Sequence, residues 1–303
     1  MTHPVMDWAK GQGRVARALL RWGALPYHLF RRGRRPGVVV LLYHRVGGGT
    51  RSDIDMPVDL FERQIRYLRR YYLLVSLDEV AKIPSRKGLE HASRDMMAVT
   101  FDDAFSDTYK LVYPVLRRYA VPATVYVPTR YLEERRPFDF GAFRDVEPSR
   151  RPTPMTWEQA AEMARSGLIT IGAHTHTHAD LSRTPADAAR RELEEADRLI
   201  EARIGIRPKH FAYPWGRWAP QTQALAAARY DTVAFGGPGR NSYVGLDLKR
   251  LWRYPVIQSD GFWLFRARLR LLRERDGTRP YDGPRAAPAS AVPEATAGGG
   301  SLS

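Results

Sequence analysis

The stretch "MMAVTFDDAF", residues 96–105, runs as a hydrophobic strand and ends on two adjacent carboxylates, Asp102 and Asp103. Like charges side by side repel, so groups brought in from elsewhere must hold them. If the pleat persists one residue past the strand, the two side chains point in different directions and are open to different tasks. One carboxylate could bind a cation while its neighbour, kept ionised by that cation's field, accepts a proton from water. The plainer alternative is a helix N-cap, since a helical run follows "DDAFSD".

Around this stretch, short β-branched or apolar runs alternate with longer helical patterns, which is the grammar of repeated βα units. Strands are expected at 38–43, 97–101, 123–127, 168–172, 210–213, 232–235 and 252–256, and helices at 60–71, 107–119, 157–166, 185–204 and 220–228. Parallel strands joined by crossover helices carry functional groups at their carboxyl ends, so the search for chemistry belongs there.

A second strand supplies it. In "LITIGAHTHTHADLS", residues 168–182, His174, His176 and His178 follow an apolar run. On an extended chain all three face one side, but His174 and His178 would then be roughly 13 Å apart at about 3.3 Å per residue. If the chain turns after His174, His174 and His178 become neighbours able to close on one ion. The other pair is His174 with His176 on an extended strand, and the spacing does not choose between them. An exposed or capping histidine cluster is the plain reading.

The 303 residues contain no cysteine, which excludes thiolate metal sites, catalytic thiols and disulfides, so any metal must be held by His, Asp or Glu. With 44% hydrophobic residues the chain can bury one large core. No run approaches the roughly 18 apolar residues of a spanning helix, and no secretory signal is visible at the N-terminus. The net charge of +15 raises the question of nucleic acid. Much of the excess, however, sits in residues 1–36, where eight Lys and Arg face the single acid Asp7. Val15, Ala18, Leu19 and Trp22 recur there at helical spacing, the pattern of a basic amphipathic helix on an anionic membrane. Peripheral membrane contact through residues 8–35 is one expectation and a helix packed on the domain the other; no nucleic acid is expected. The segment 133–154 reads as a long surface connection, either a rim of the site or a variable insertion. Residues 281–303, rich in Ala, Pro, Gly and Ser, read as a disordered tail, which leaves 37–280 as the folded domain expected to carry the chemistry.

"TFDD" after one strand and "HTHTH" after another resemble the first two motifs of the polysaccharide deacetylase family. "LLYHRV" at 41–46, "FAYPWG" at 211–216 and "LWRYPV" at 251–256 extend the resemblance over most of 38–256. It implies an α/β fold, a distorted (β/α)7 barrel, with Asp103, His174 and His178 as ligands of a divalent metal, expected to be Zn2+. Asp102 would be the general base, the N–H of Tyr213 an oxyanion donor, and His176 a bystander. His44, at the end of the first strand, is the candidate acid. It precedes the metal motifs, whereas the commoner family order places the acid after them; the order here resembles that of deacetylases of poly-N-acetylglucosamine type. Ala212 stands where many members have an arginine that orients the base, and Arg253 is expected to replace it, an ordinary surface arginine being the alternative. Trp215 and Trp218 would either line a sugar groove or pack in the core.

The expected activity is removal of N-acetyl groups from amino-sugar units of a glycan, in the setting of an exopolysaccharide or its precursor. The alternatives are hydrolysis of an O-acetyl ester or another amide, and a noncatalytic glycan-binding protein. A cytoplasmic or inner-membrane peripheral location is expected.

Overall fold

The computed structural model describes residues 36–50, 52–85 and 94–272, with the backbone of 274–275. The basic N-terminal segment and the tail beyond 281 lie outside the described residues. Seven strands form the frame: β1 (Gly37–Tyr43), β2 (Met96–Phe101), β3 (Ala123–Val127), β4 (Ile169–Ala173), β5 (His210–Ala212), β6 (Thr232–Gly236) and β7 (Leu251–Pro255). Each is parallel to the next, and β1 closes the ring by pairing with both β2 and β7. In register, Val40 lies between Ala98 and Arg253. The result is a closed seven-stranded parallel barrel: the alternating pattern predicts the parallel βα units, and the family resemblance implies their closure.

Strand composition explains the closure. Every residue of β1, β2 and β3 is buried, as expected where one face packs inside the barrel and the other lies under helices. Gly172 shows how tightly the walls fit, because a Cβ there would sit 2.6 Å from the Tyr126 ring and 2.9 Å from the His210 carbonyl. The seam is weakest between β4 and β5, which share the single register pair Ala173 with Phe211. This seam lies beside the histidine motif.

The helices follow their amphipathic patterns. In α1 (Val58–Tyr71), Phe61, Ile65 and Leu68 face the barrel while Arg63, Arg66, Arg69 and Arg70 face solvent. The others are α2 (Leu77–Ala81), α3 (Tyr113–Tyr119), α4 (Thr129–Glu133), α5 (Trp157–Arg165), α6 (Ala186–Ile204), α7 (Pro220–Arg229) and α8 (Gly261–Leu271). Capping boxes start α2 at Ser76 with Glu79 and α5 at Thr156 with Gln159, and α6 stops at Gly205 with φ 83°. Where one helix was expected over 107–119, a wide turn at Thr108–Val112 precedes α3. No described helix is long and apolar enough to cross a membrane.

Candidate active site

Both sequence motifs lie at the carboxyl ends of barrel strands, β2 and β4, which flank β3, and both break out of strand geometry there. Asp102 still donates its N–H to the Tyr43 carbonyl at 3.0 Å, so strand pairing persists to that residue. Asp103 and Ala104 then turn through φ 70° and 52°. The pleat therefore does not extend to Asp103, and the two carboxylates converge on one region instead of parting. Left-handed conformations at non-glycine residues cost on the order of 1–3 kcal/mol each and persist where the surroundings enforce them. Here the N–H groups of Ser106 and Met155 bond to the carbonyls of Thr153 and Ala104, clamping the turn against the end of the 133–154 segment. Neither aspartate caps a helix.

The histidine motif also turns. Thr175 has φ 62° and His178 φ 60°. The His174 and His178 rings meet edge to face with centroids 5.1 Å apart. This geometry selects His174 with His178 over the extended pair. His174 Nε2 lies 3.6 Å and His178 Nε2 3.1 Å from Asp103 Oδ1. The His176 ring turns aside, with Nδ1 2.9 Å from the Thr129 hydroxyl.

Asp103, His174 and His178 offer ligand atoms within 4.8 Å of one another, all buried. Asp103 Oδ1 receives no hydrogen bond of good geometry, an orphaned buried carboxylate oxygen facing two imidazole nitrogens. One carboxylate and two imidazoles form a donor set suited to a divalent ion such as zinc, with room for further ligands. The His174 Nδ1 lies 2.7 Å from the Ala212 carbonyl, which fixes the ring and leaves Nε2 for the ion. Burial, opposed by Asp102, pushes His174 down to about 4, so this imidazole is neutral near pH 7, as a ligand must be. Burial resists ionisation of Asp103, but the imidazoles facing it, His178 above all with His44 and His174, hold it down at about 2.

Asp102 is held differently. Arg253, buried on β7, grips it with two parallel bonds, Nη1 to Oδ1 at 2.5 Å and Nη2 to Oδ2 at 2.8 Å. Arg253 is no surface arginine. Burial alone would raise the Asp102 pKa; Arg253, His174 and His44 reverse that and keep the carboxylate ionised. Arg253→Gln should therefore raise the Asp102 pKa and move the acid limb of the pH–rate profile to higher pH. The sign for stability follows from the depressed value. The pairing stabilises the fold above the ordinary carboxylate range, and this contribution is lost as pH falls through the folded pKa. At neutral pH the variant should lose about 3–5 kcal/mol, since it leaves a buried charge unpaired. A series of urea unfolding curves against pH would check it; unchanged stability at pH 7 would remove the ion pair from the account.

The other candidates divide. His44 is half-buried at the end of β1 and lies near enough to Asp102 and Asp103 to help hold both ionised. Trp215, in a turn with φ 62°, presents its ring edge-on to His178 with centroids 4.8 Å apart. The next residue, Gly216 with φ 65°, has room for no side chain, because a Cβ would meet the Gly236 nitrogen at 2.5 Å. Trp218 takes the packing role instead, its ring against Phe235 and Arg250.

The expectation for Tyr213 needs correction. Its N–H donates to the Ala234 carbonyl at 2.9 Å and is not available to an oxyanion. The reason is that pairing with β6 continues one residue beyond β5. Its hydroxyl is also occupied, donating to Gln223 Oε1 at 3.1 Å.

Two residues were not singled out by the sequence. Phe140 stacks on the His178 ring at 3.8 Å and 9°. It belongs to an aromatic cluster with Phe105, Tyr131, Phe138 and Phe143 that makes the 133–154 segment a wall of the site. The aromatic spacing of "PFDFGAF" within a charged stretch was the available signal. The second is Glu192, which receives the N–H groups of His176 and Thr177.

A closed parallel barrel with a buried Asp–His–His cluster and a second, arginine-held aspartate at its mouth defines a class: barrel proteins with a buried donor set suited to a divalent metal ion. Residues 90–233 match the model of the polysaccharide deacetylase family. Among curated relatives, YxkH of Bacillus subtilis, which bears the name of a polysaccharide deacetylase, is 24% identical over 62% of this chain and 60% of its own. The poly-β-1,6-N-acetyl-D-glucosamine N-deacetylase of Staphylococcus aureus MRSA252 is 22% identical over 52% of each chain. The chain thus spans between half and two thirds of the length of these relatives. Among solved structures, the Streptococcus pyogenes deacetylase PplD superimposes with a TM-score of 0.62 at 23% identity, covering 77% of this chain and 97% of that one. IcaB from Ammonifex degensii gives 0.63 at 22%, covering 74% and 94%. These structural likenesses support the barrel.

Proposed function

We propose that this protein is a metal-dependent hydrolase that removes N-acetyl groups from amino-sugar units of a polysaccharide or glycan precursor. The observation that carries the reading is the convergence of Asp103, His174 and His178 beside an Asp102 that Arg253 holds ionised. The family match and the name of the Staphylococcus aureus relative support the choice of an acetylated amino sugar.

Asp103, His174 and His178 would hold the ion, with Zn2+ the proposed species. When bound, it would polarise the acetamido carbonyl and make a coordinated water more acidic. Asp102 is the proposed base. Both its oxygens face Arg253, so it stays ionised and fixed in orientation, and it takes the proton of the attacking water. His44, on the neighbouring strand, is the proposed acid that protonates the departing amine. Phe140 and Trp215 wall the site beside His178, a surface suited to the acetyl methyl and a sugar ring.

The base and the ligand should separate by mutation. Asp102→Asn keeps the shape but is a poor proton acceptor, so it should retain the metal and lose at least roughly a hundredfold in turnover. Asp103→Asn should weaken the metal itself. Metal content measured beside acetate release from N-acetylated oligosaccharides would decide; equal metal loss in both variants would sink the division of roles. An O-acetylated glycan assayed in parallel distinguishes amide from ester hydrolysis.

A further inference from the structure

The two histidines of the proposed metal site are separated by three residues whose backbone is tied to the helix behind them by one side chain. Glu192, in the second turn of α6, receives the N–H of His176 at 3.0 Å and of Thr177 at 2.8 Å on Oε2. Its Oε1 accepts the Thr177 hydroxyl at 2.8 Å. Acidic neighbours on the same helix are used otherwise. Glu195 pairs with Arg198 at 2.6 Å, and Asp197 takes Arg229 and, at 2.8 Å, the Tyr230 hydroxyl. Among the described residues Glu192 makes no ion pair, and its carboxylate is given to the loop.

The opposite side of the loop is also held, but through its carbonyls. Thr129 and Arg130 donate their N–H groups to the carbonyls of Thr175 and His176 at 3.3 and 2.9 Å. Glu192 is what gathers the amide hydrogens. Those amides lie between Thr175 and His178, the two residues in left-handed conformation. Such residues need an external constraint, because each costs on the order of 1–3 kcal/mol. If the turn relaxed toward a strand, His174 and His178 would separate to roughly 13 Å, too far for one ion.

We infer that Glu192 is a positioning residue that holds the histidine turn in its ligand-ready form and thereby sets the affinity of the metal site. The inference rests on the reading of Asp103, His174 and His178 as that site. It is tested on the full chain by Zn2+ titration against a competing chromophoric chelator. Glu192→Ala should weaken Zn2+ binding about 10–100-fold, the usual effect of removing a group that orients ligands. Glu192→Gln retains an oxygen for both N–H groups and at most weakens the hydroxyl bond, which can reverse so that the amide NH2 donates to the Thr177 hydroxyl oxygen. It should stay within roughly fivefold of the parent, about one hydrogen bond's worth, and Thr177→Val should match it. Saturating Zn2+ should restore most of the turnover of Glu192→Ala, which a role in the chemistry itself would not permit. Parental affinity in Glu192→Ala would overturn the inference, and so would equal weakening by Ala and Gln, which would make charge the cause. Absence of Zn2+ binding by the parent would instead overturn the metal reading.

Discussion

His174→Ala and His178→Ala will each abolish metal binding and turnover, while His176→Ala will keep most of both. The three side chains lie within five positions, yet the turn through Thr175 sends them to different places. His174 and His178 aim Nε2 at Asp103, whereas His176 bonds the Thr129 hydroxyl. Removing one of three protein ligands leaves too few to hold the ion against water. Removing His176 costs about one hydrogen bond, on the order of 1 kcal/mol. Zn2+ content after dialysis measures the difference. If His176→Ala lost the ion and His178→Ala retained it, the ligand assignment would be wrong.

His44→Ala will keep its metal and lose about 10²–10⁴-fold in N-deacetylation, the range for a positioned general acid. An amine departs poorly as an anion, so collapse toward products needs a proton at the nitrogen. A phenolate leaves unaided. The same variant should therefore spare much of the hydrolysis of an aryl acetate, and the ratio of the two rates isolates the acid role from general damage. If both substrates were unaffected, His44 would be a structural histidine at the end of β1, and the proton would have to come from elsewhere.

Most of the frame was legible because parallel strands buried on both faces read as continuous apolar runs. All seven barrel strands were found, with boundaries within a residue or two; β4, for example, runs over Ile169–Ala173 instead of 168–172. The helices that escaped notice have physical reasons. α2 and α4 are five residues each, too short to show a period. α8, "GFWLFRARLRL", begins on a glycine with φ 54° and carries four residues of its apolar set before its first arginine, which blurs any stripe.

At the site, residue types and spacing pointed to the metal cluster, but not to its shape. The choice between His176 and His178 turned on the backbone angles at Thr175 and His178, which no local pattern announces. Arg253 was placed by resemblance, and its burial was not visible in "LWRYPV" because β7 is covered on both faces. Tyr213 was misjudged because a short strand gave no sign that its last N–H pairs with β6. Phe140 and Glu192 act across 38 and 16 positions of sequence, on His178 and His176 respectively, so only the closed barrel and its packed helix bring them to the histidines.

The most direct test of the account is acetate release from N-acetylglucosamine oligomers by the full chain, before and after metal removal, with the bound ion quantified in the same samples. The account predicts about one divalent ion per chain, acetate and free amine formed in equal amounts, loss of both on chelation, and return of both with Zn2+. Acetate release that is unchanged in metal-free protein would contradict it, as would a fully loaded protein that releases acetate from O-acetylated but not from N-acetylated sugars.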